Sequence, residues 1–457
     1  MKPFQNQSDS VESFGYKQEL KRSLTLWDLL IYGLVFMVPI APFGIYGYVA
    51  AGSNGMVALA YLIGMVGMVF TALSYARMSE AFPIAGSVYS YAQRGINDSV
   101  GFFAGWVILL DYILIPSLLY LVSAAALGGV VPEVPTIIWL LLFIAINTVI
   151  NILGIEITAK FNKIIVVLEL IVLVVFVVAA IIAISSGVNG AEFNFKPLYD
   201  PDQFSLSVVM GAVSIAVLSF LGFDAISTLS EEAKGGRRVV GRAVVFSLLV
   251  VGVLFIIQTW VAALVWPDYT SFENADVAFY QIAEMAGGPW LKWTTIIATA
   301  LAWGIANALV AQAATSRILY SMARDKKLPG ILSKVHPKFK TPYASTILVA
   351  VISLIVTIFF ASNIGELASL VNFGALTAFL FLHFSVIYYF LIKQKSKDYI
   401  KHLLLPVIGF LIIGFVWISL DVNAKQLGFI WIAIGLVYMI FLKFTKKGTN
   451  LSDDIGK

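Results

Sequence analysis

Three carboxylates stand well inside long apolar runs of this chain: Asp111 in Leu109-Leu110-Asp111-Tyr112, Glu169 in Val167-Leu168-Glu169-Leu170, and Asp224 in Phe223-Asp224-Ala225. At a helical rise of about 1.5 Å per residue, Asp111 lies about 18 Å and Glu169 about 12 to 14 Å from the nearer expected span end, too deep for a short side chain to reach water. No Lys or Arg sits at comparable depth. An acid placed this way can carry a proton or hold a cationic solute. The alternative for each is structural hydrogen bonding to a neighbouring helix, as it is for Tyr112 and Asn307, a phenol and an amide in similar surroundings.

A second kind of site is made of backbone. Phe36-Met37-Val38-Pro39-Ile40-Ala41-Pro42-Phe43-Gly44 holds two prolines, each lacking an amide donor and clashing with the preceding turn. An interruption is expected from Pro39 to Gly44. About 180 residues later, Ser219-Phe220-Leu221-Gly222-Phe223-Asp224-Ala225 sets a glycine and a carboxylate into an apolar stretch, and a matching interruption is expected there. Carbonyls ending the first half-helices suit an ammonium group, and amides opening the second half-helices suit a carboxylate. The pair fits an amino acid, and half of it fits a diamine. The candidate binding residues are therefore Pro39, Ile40, Ala41, Pro42, Phe43, Gly44, Asp111, Tyr112, Phe220, Leu221, Gly222, Phe223 and Asp224, with Glu169 and Asp224 as candidate proton carriers.

The elements that must position them follow from composition. Of 457 residues 60% are hydrophobic and 12% charged, against roughly a quarter charged in a soluble domain. Apolar runs of about 20 residues recur from Leu26 to Phe444, which only an all-α integral membrane protein accommodates. Twelve spans are expected, near 26–50, 55–78, 99–128, 134–153, 161–186, 205–232, 240–266, 289–322, 343–361, 364–391, 403–421 and 426–445. Residues 24–445 form one transporter-like domain between tails at 1–23 and 446–457, with two five-span repeats near 24–188 and 203–392 and added helices near 403–445. With both termini cytoplasmic, only Lys196, Lys292 and Lys425 of the 30 Lys and Arg fall outside, which fixes the orientation.

The same pass removes whole classes of function. Cysteine is absent, so disulfide, thiol and thiolate-metal chemistry are excluded. His336, His383 and His402 have no metal-ligand spacing, and neither GxxxxGK[ST] nor HExxH occurs. No cofactor, no metal and no nucleic acid is expected, and the chain is not read as an enzyme. The expected partners are a small-molecule substrate, a proton and the lipid bilayer. Residues 267–288 form the longest external loop, either a cover over a pathway or a tether. Trp27, Trp139, Trp266, Trp290 and Trp431 near span ends read as interfacial anchors, and Gly101 with Gly105 as a close helix contact.

The loop after span 2 reads Phe82-Pro83-Ile84-Ala85-Gly86-Ser87-Val88-Tyr89-Ser90-Tyr91. Here the chain resembles the amino acid/polyamine/organocation transporter superfamily, whose second-to-third helix connection has the pattern FPxAG-x-x-Y-x-Y. The resemblance continues at Gly222-Phe223-Asp224, Ser230-Glu231-Glu232-Ala233-Lys234, and Ser316-Arg317-Ile318-Leu319-Tyr320 with Leu328-Pro329. Leu110-Asp111-Tyr112 and Leu370-Val371-Asn372-Phe373-Gly374-Ala375-Leu376 make it most similar to a putrescine-importer-like branch. That resemblance implies a five-plus-five inverted repeat with two added helices and a central site between spans 1, 3, 6, 8 and 10. It also implies amine or amino acid uptake coupled to protons in the plasma membrane, with Tyr112 at the substrate. The chain departs from the pattern at Pro39, Ala41 and Pro42, where many members are rich in glycine and serine, at Gly235-Gly236 in place of Asn-Pro, and at Glu169, where some members carry a lysine.

Overall fold

The computed structural model describes residues 24–84, 87–128, 131–153, 156–230, 233, 234, 236, 238–324, 326–339 and 341–444. Both expected tails, Ala85 and Gly86 of the loop motif, and Glu231, Glu232, Gly235 and Arg237 lie outside the described residues. Among those described, no strand forms beyond one bridge between Leu24 and Ala233, where the Lys234 amide donates to the Leu24 carbonyl at 2.7 Å. Ten helical stretches are long and apolar enough to cross a membrane. A further crossing is a pair of half-helices bent by 57°, and Tyr343–Phe359 is a shorter apolar helix. The chain is an all-helical, multi-pass membrane protein.

The bent pair is α1 (Leu26–Met37) and α2 (Pro42–Gly52). Thr25 starts α1 through a reciprocal cap, its hydroxyl accepting from the Asp28 amide while its own amide donates to the Asp28 carboxylate at 3.0 Å. Pro39 ends it by withholding the donor that the Val35 carbonyl needs. Val38 then takes φ 51°, a left-handed conformation that costs a β-branched residue about 1–3 kcal/mol. The break is shorter than the expected Pro39 to Gly44. Pro42 occupies the first turn of α2, where its missing amide is harmless, so Pro42, Phe43 and Gly44 are already helical.

The chain continues as α3 (Val57–Ala81), α4 (Ser87–Gly95), α5 (Asp98–Gly128), α6 (Thr136–Leu153) and α7 (Glu156–Ser185). The second interruption follows α8 (Leu206–Ala216): 3-10 turns at Val217–Phe220 and Phe223–Leu229 flank Leu221 and Gly222. Next come α9 (Arg238–Val265), α10 (Ala278–Gly287) and α11 (Pro289–Leu301), the last passing through a π-turn at Ala302–Asn307 into α12 (Ala308–Arg324). The C-terminal part holds α13 (Tyr343–Phe359), α14 (Ile364–Ile387), α15 (Leu405–Ile418) and α16 (Val422–Phe444).

Helix α5 is buried along nearly its whole length and packs against α14, α4, α12 and α13, whereas α7, α15 and α16 turn wide apolar faces outward. On α7, Val166, Glu169, Leu173, Phe176 and Ala180 face inward at helical spacing, while Val167, Ile171, Val174 and Val178 are exposed, as a lipid-facing helix requires.

Of two small features read from the sequence, one is made specific by the structure and one is corrected. Gly101 and Gly105 serve contact within the chain: a Cβ at Gly101 would lie 2.4 Å from Gln93 Cβ, and one at Gly105 2.7 Å from the Tyr89 ring, so α4 lies directly on α5. Trp431 is not an interfacial anchor. Its ring stacks on Trp106 at 4.7 Å, and each indole donates to the other's carbonyl at 2.9 Å, pinning α16 to α5. Trp27 and Trp290 are exposed near span ends, as an anchor would be.

The α4–α5 contact yields a stability prediction. Gly101→Ala should force α4 away from α5 and lower the thermal unfolding midpoint in detergent, at a cost of about 1–3 kcal/mol. Gly211→Ala, where an added Cβ meets nothing within 4 Å, should leave the midpoint unchanged or slightly raised.

Candidate functional site

The two interruptions meet. Gly222 has φ 109°, and a Cβ there would fall 2.0 Å from the Phe36 ring, so only glycine lets Phe36 of α1 lie on the second break. Beside this contact is a cavity of about 20 Å³, room for about one water molecule. Phe36, Met37 and Ala41 line it from the first break, Ile115 and Leu119 from α5, Leu218, Ser219 and Leu221 from the second break, and Trp303 and Asn307 from the π-turn.

Three of the four walls depart from regular α-helix at the cavity, and the fourth, α5, stays helical but lacks one internal hydrogen bond at Pro116. Within an apolar bundle an unpartnered backbone group is costly, so each released carbonyl needs another donor. Gln258 of α9 gives its amide to the Pro39 carbonyl at 3.0 Å. Pro116 lies inside α5 and cannot donate to Tyr112, and the Thr315 hydroxyl of α12 donates to that carbonyl instead. Asn147 of α6 donates to the Gly304 carbonyl at 2.8 Å, and Asn372 of α14 to the Ser214 carbonyl at 2.7 Å. A second layer of amides and a hydroxyl thus holds the irregular backbone in place.

The acids flank this cavity without lining it. Asp111 lies one helical turn from Ile115 on the same face of α5. The Tyr112 hydroxyl donates to Asp224 Oδ2 at 3.1 Å, joining α5 to the second break, and Asp111 is close enough to Asp224 for their charges to interact. Tyr75 stands beside the pair, packed edge-on against Phe223, Tyr91 and Phe379. Glu169 is 2% exposed, and its Oε2 has no hydrogen-bond partner. It sits two turns before Phe176, whose ring meets Phe43 of α2 at 5.7 Å.

Of the expected binding residues, Ala41 and Leu221 line the cavity, and a Cβ on Gly44 would reach the Trp303 ring at 3.4 Å. Pro39 and Gly222 shape the breaks. Phe220 turns away, against Tyr61 and Phe255, and Phe43 stacks on Phe279 at 3.9 Å. Ile40, Pro42 and Phe223 are buried beside the breaks. His383 is held between Thr71 and Ser74, at 3.3 and 2.9 Å, away from the cavity. The loop at 267–288 is a packed cover: Phe279 of α10 lies on Phe43, Tyr48 donates to Asp276 at 2.7 Å, and Gly47 leaves room for the Ala275 backbone.

Sequence reasoning missed Phe36, Met37, Ile115, Leu119, Leu218, Ser219 and Trp303 as cavity residues. The one usable signal was Trp303, a tryptophan in the middle of a span where anchors do not sit. Trp303 Nε1 and Asn307 Oδ1 are buried without hydrogen-bond partners, and both residues line the cavity. A larger apolar groove of about 190 Å³ between α7 and α9, lined by residues such as Leu173 and Leu254, offers no polar side chain.

Comparison with known proteins gives a consistent picture. Residues 28–450 match the family model described as amino acid permease. The chain is 34% identical over 427 residues, 92% of its length and 93% of the relative's, to a low-affinity putrescine importer of Escherichia coli (strain K12). It is 26% identical over 475 aligned positions, 97% of both chains, to a branched-chain amino acid permease of Bacillus subtilis (strain 168). A methylthioribose transporter of the same organism is 27% identical over 461 positions, 95% of this chain and 96% of that one.

The borrowed donor at Pro116 can be tested directly. Thr315→Val keeps the shape but leaves the Tyr112 carbonyl unpaired, which should cost about 1–3 kcal/mol. Thermal unfolding in detergent should show the loss, and Thr315→Ser should restore most of it.

Proposed function

The chain belongs to the amino acid permease family, and from that premise we propose that it imports a small amine-bearing solute, an amino acid or a polyamine such as putrescine, by proton-coupled alternating access in the plasma membrane. The observation that carries this reading is the small cavity between the two breaks, with the Tyr112–Asp224 pair beside it. Twelve spans in a five-plus-five arrangement, with both termini cytoplasmic, agree with the ten long helices, the bent pair and α13, and with the distribution of Lys and Arg.

In this reading the solute's ammonium lies against Asp111, Tyr112 and Asp224, which supply negative charge and a hydroxyl where α5 meets the second break. The remaining polar groups of the solute meet backbone at Pro39 to Gly44 and Phe220 to Asp224. Its apolar part fills the space between Met37, Ile115, Leu119 and Leu221. At about 20 Å³ the cavity must widen to admit any such solute, so loading requires one end of the bundle to open. The α10 cover on Phe43 and the Tyr75–Tyr91–Phe223–Phe379 cluster stand at the two ends, and opening of one while the other stays packed gives alternating access. Glu169, buried with a free oxygen, or Asp224 carries the proton.

A second reading of the substrate has its own support. All the cavity-lining residues are uncharged, and Trp303 Nε1 is a free donor that a diamine has no acceptor to meet. An amino acid carboxylate would meet it.

Uptake of labelled putrescine and a panel of amino acids into proteoliposomes, with and without an imposed pH gradient, tests the proposal. Accumulation of putrescine or an amino acid only with the gradient is the expected result. Equal accumulation without it would leave a facilitator or exchanger, and no uptake of either class would favour a receptor-like role. Glu169→Gln or Asp224→Asn should flatten the pH dependence of uptake. Unchanged pH dependence in both variants would remove both residues as proton carriers.

A further inference from the structure

The π-turn at Ala302–Asn307 carries two cavity-lining residues whose buried polar atoms lack partners, Trp303 Nε1 and Asn307 Oδ1. Such a turn inserts one residue into the helical ladder and disturbs its hydrogen bonding, so its shape depends on what receives the displaced carbonyls. Here that receiver is Asn147, on α6 and fully buried. One side-chain amide nitrogen donates to Gly304 of the π-turn and to Phe143 of its own helix, both at 2.8 Å. The approach is tight: a Cβ at Gly304 would lie 2.8 Å from the Phe143 ring and from Ser123 of α5. Gly304 follows Trp303 directly, so holding the Gly304 carbonyl restrains the backbone that carries the indole.

We propose that Asn147, which does not itself line the cavity, is a positioning residue that holds Trp303 and Asn307 in the geometry that selects the solute. The inference rests on the reading of the cavity as the solute seat. A neighbouring pair supplies the control. Asn151, one turn further along α6, donates to the Leu309 carbonyl and to Gln312 Oε1 at 3.1 and 2.7 Å, joining the same two helices beyond the π-turn. A purely structural contribution from the α6–α12 contact would make the two asparagines equivalent.

The test is uptake of labelled putrescine and labelled leucine by the full-length protein in proteoliposomes, with KM and Vmax normalised to protein in the membrane. For Asn147→Leu, KM for the solute taken up should rise about tenfold, in line with a lost buried hydrogen bond, and the putrescine-to-leucine preference should change. Vmax should stay within about twofold. Asn151→Leu should lower the thermal midpoint by a comparable amount and leave KM within about twofold. If Asn147→Leu does not reach the membrane, Asn147→Ser gives the same reading, because its hydroxyl returns to the Phe143 carbonyl and leaves Gly304 alone. Asn147→Asp, of the same shape and able to donate when protonated, should recover KM toward the parent value as pH is lowered. Equal effects of the Asn147 and Asn151 variants, with KM unmoved, would overturn the inference. If Trp303→Phe and Asn307→Ala raise KM while the Asn147 variants do not, the seat stands and the inference alone falls. If none of the Asn147, Trp303 and Asn307 variants moves KM, the seat falls with it.

Discussion

A backbone carbonyl inside an apolar bundle must find a donor, and the rest of this structure is arranged around that need. A regular helix meets it by itself. Four helices here give up regularity at one level of the bundle, through Pro39, Pro116, the Leu221-Gly222 step and the π-turn at Ala302–Asn307. In response Gln258, Thr315, Asn147 and Asn372 reach in from surrounding helices. The irregular level is also where the cavity lies. Polar backbone inside the bundle and the side chains that stabilise it are thus one feature seen from two sides.

The acids follow a related logic. Asp224 gains the Tyr112 hydroxyl, and Asp111 and Asp224 share one neighbourhood across the α5 contact, so a cationic group placed between them would offset two charges at once. Glu169 stands apart on α7 with a free oxygen. The paired acids and the lone one thus occupy separate surroundings within the one bundle.

How much of this was legible in the sequence depends on whether the deciding contact is local. The first break was, because Pro39 and Pro42 act on their own preceding turns, although treating the two prolines alike overstated its length: one ends a helix and the other begins one. The second break was marked by Gly222 and Asp224. The buried acids were plain from depth alone. The π-turn was not, since Ala302-Trp303-Gly304 carries no proline and the donor to its Gly304 carbonyl is Asn147, more than 150 positions earlier. Pairings such as Gln258 with Pro39, or Trp431 with Trp106, join residues hundreds of positions apart, where spacing has nothing to report. Gly101 and Gly105 signalled a close approach correctly but could not say that the partner was α4 of the same chain.

The seating of Phe36 on Gly222 has a mechanical consequence. The ring occupies the volume that any side chain at Gly222 would need, so the broken spans mesh like a tooth in a notch. A rotation of α1 about its own axis would drive that tooth into the opposite backbone. If the bundle opens as proposed, the two spans move together, and the Gln258 amide on the Pro39 carbonyl ties α9 to them.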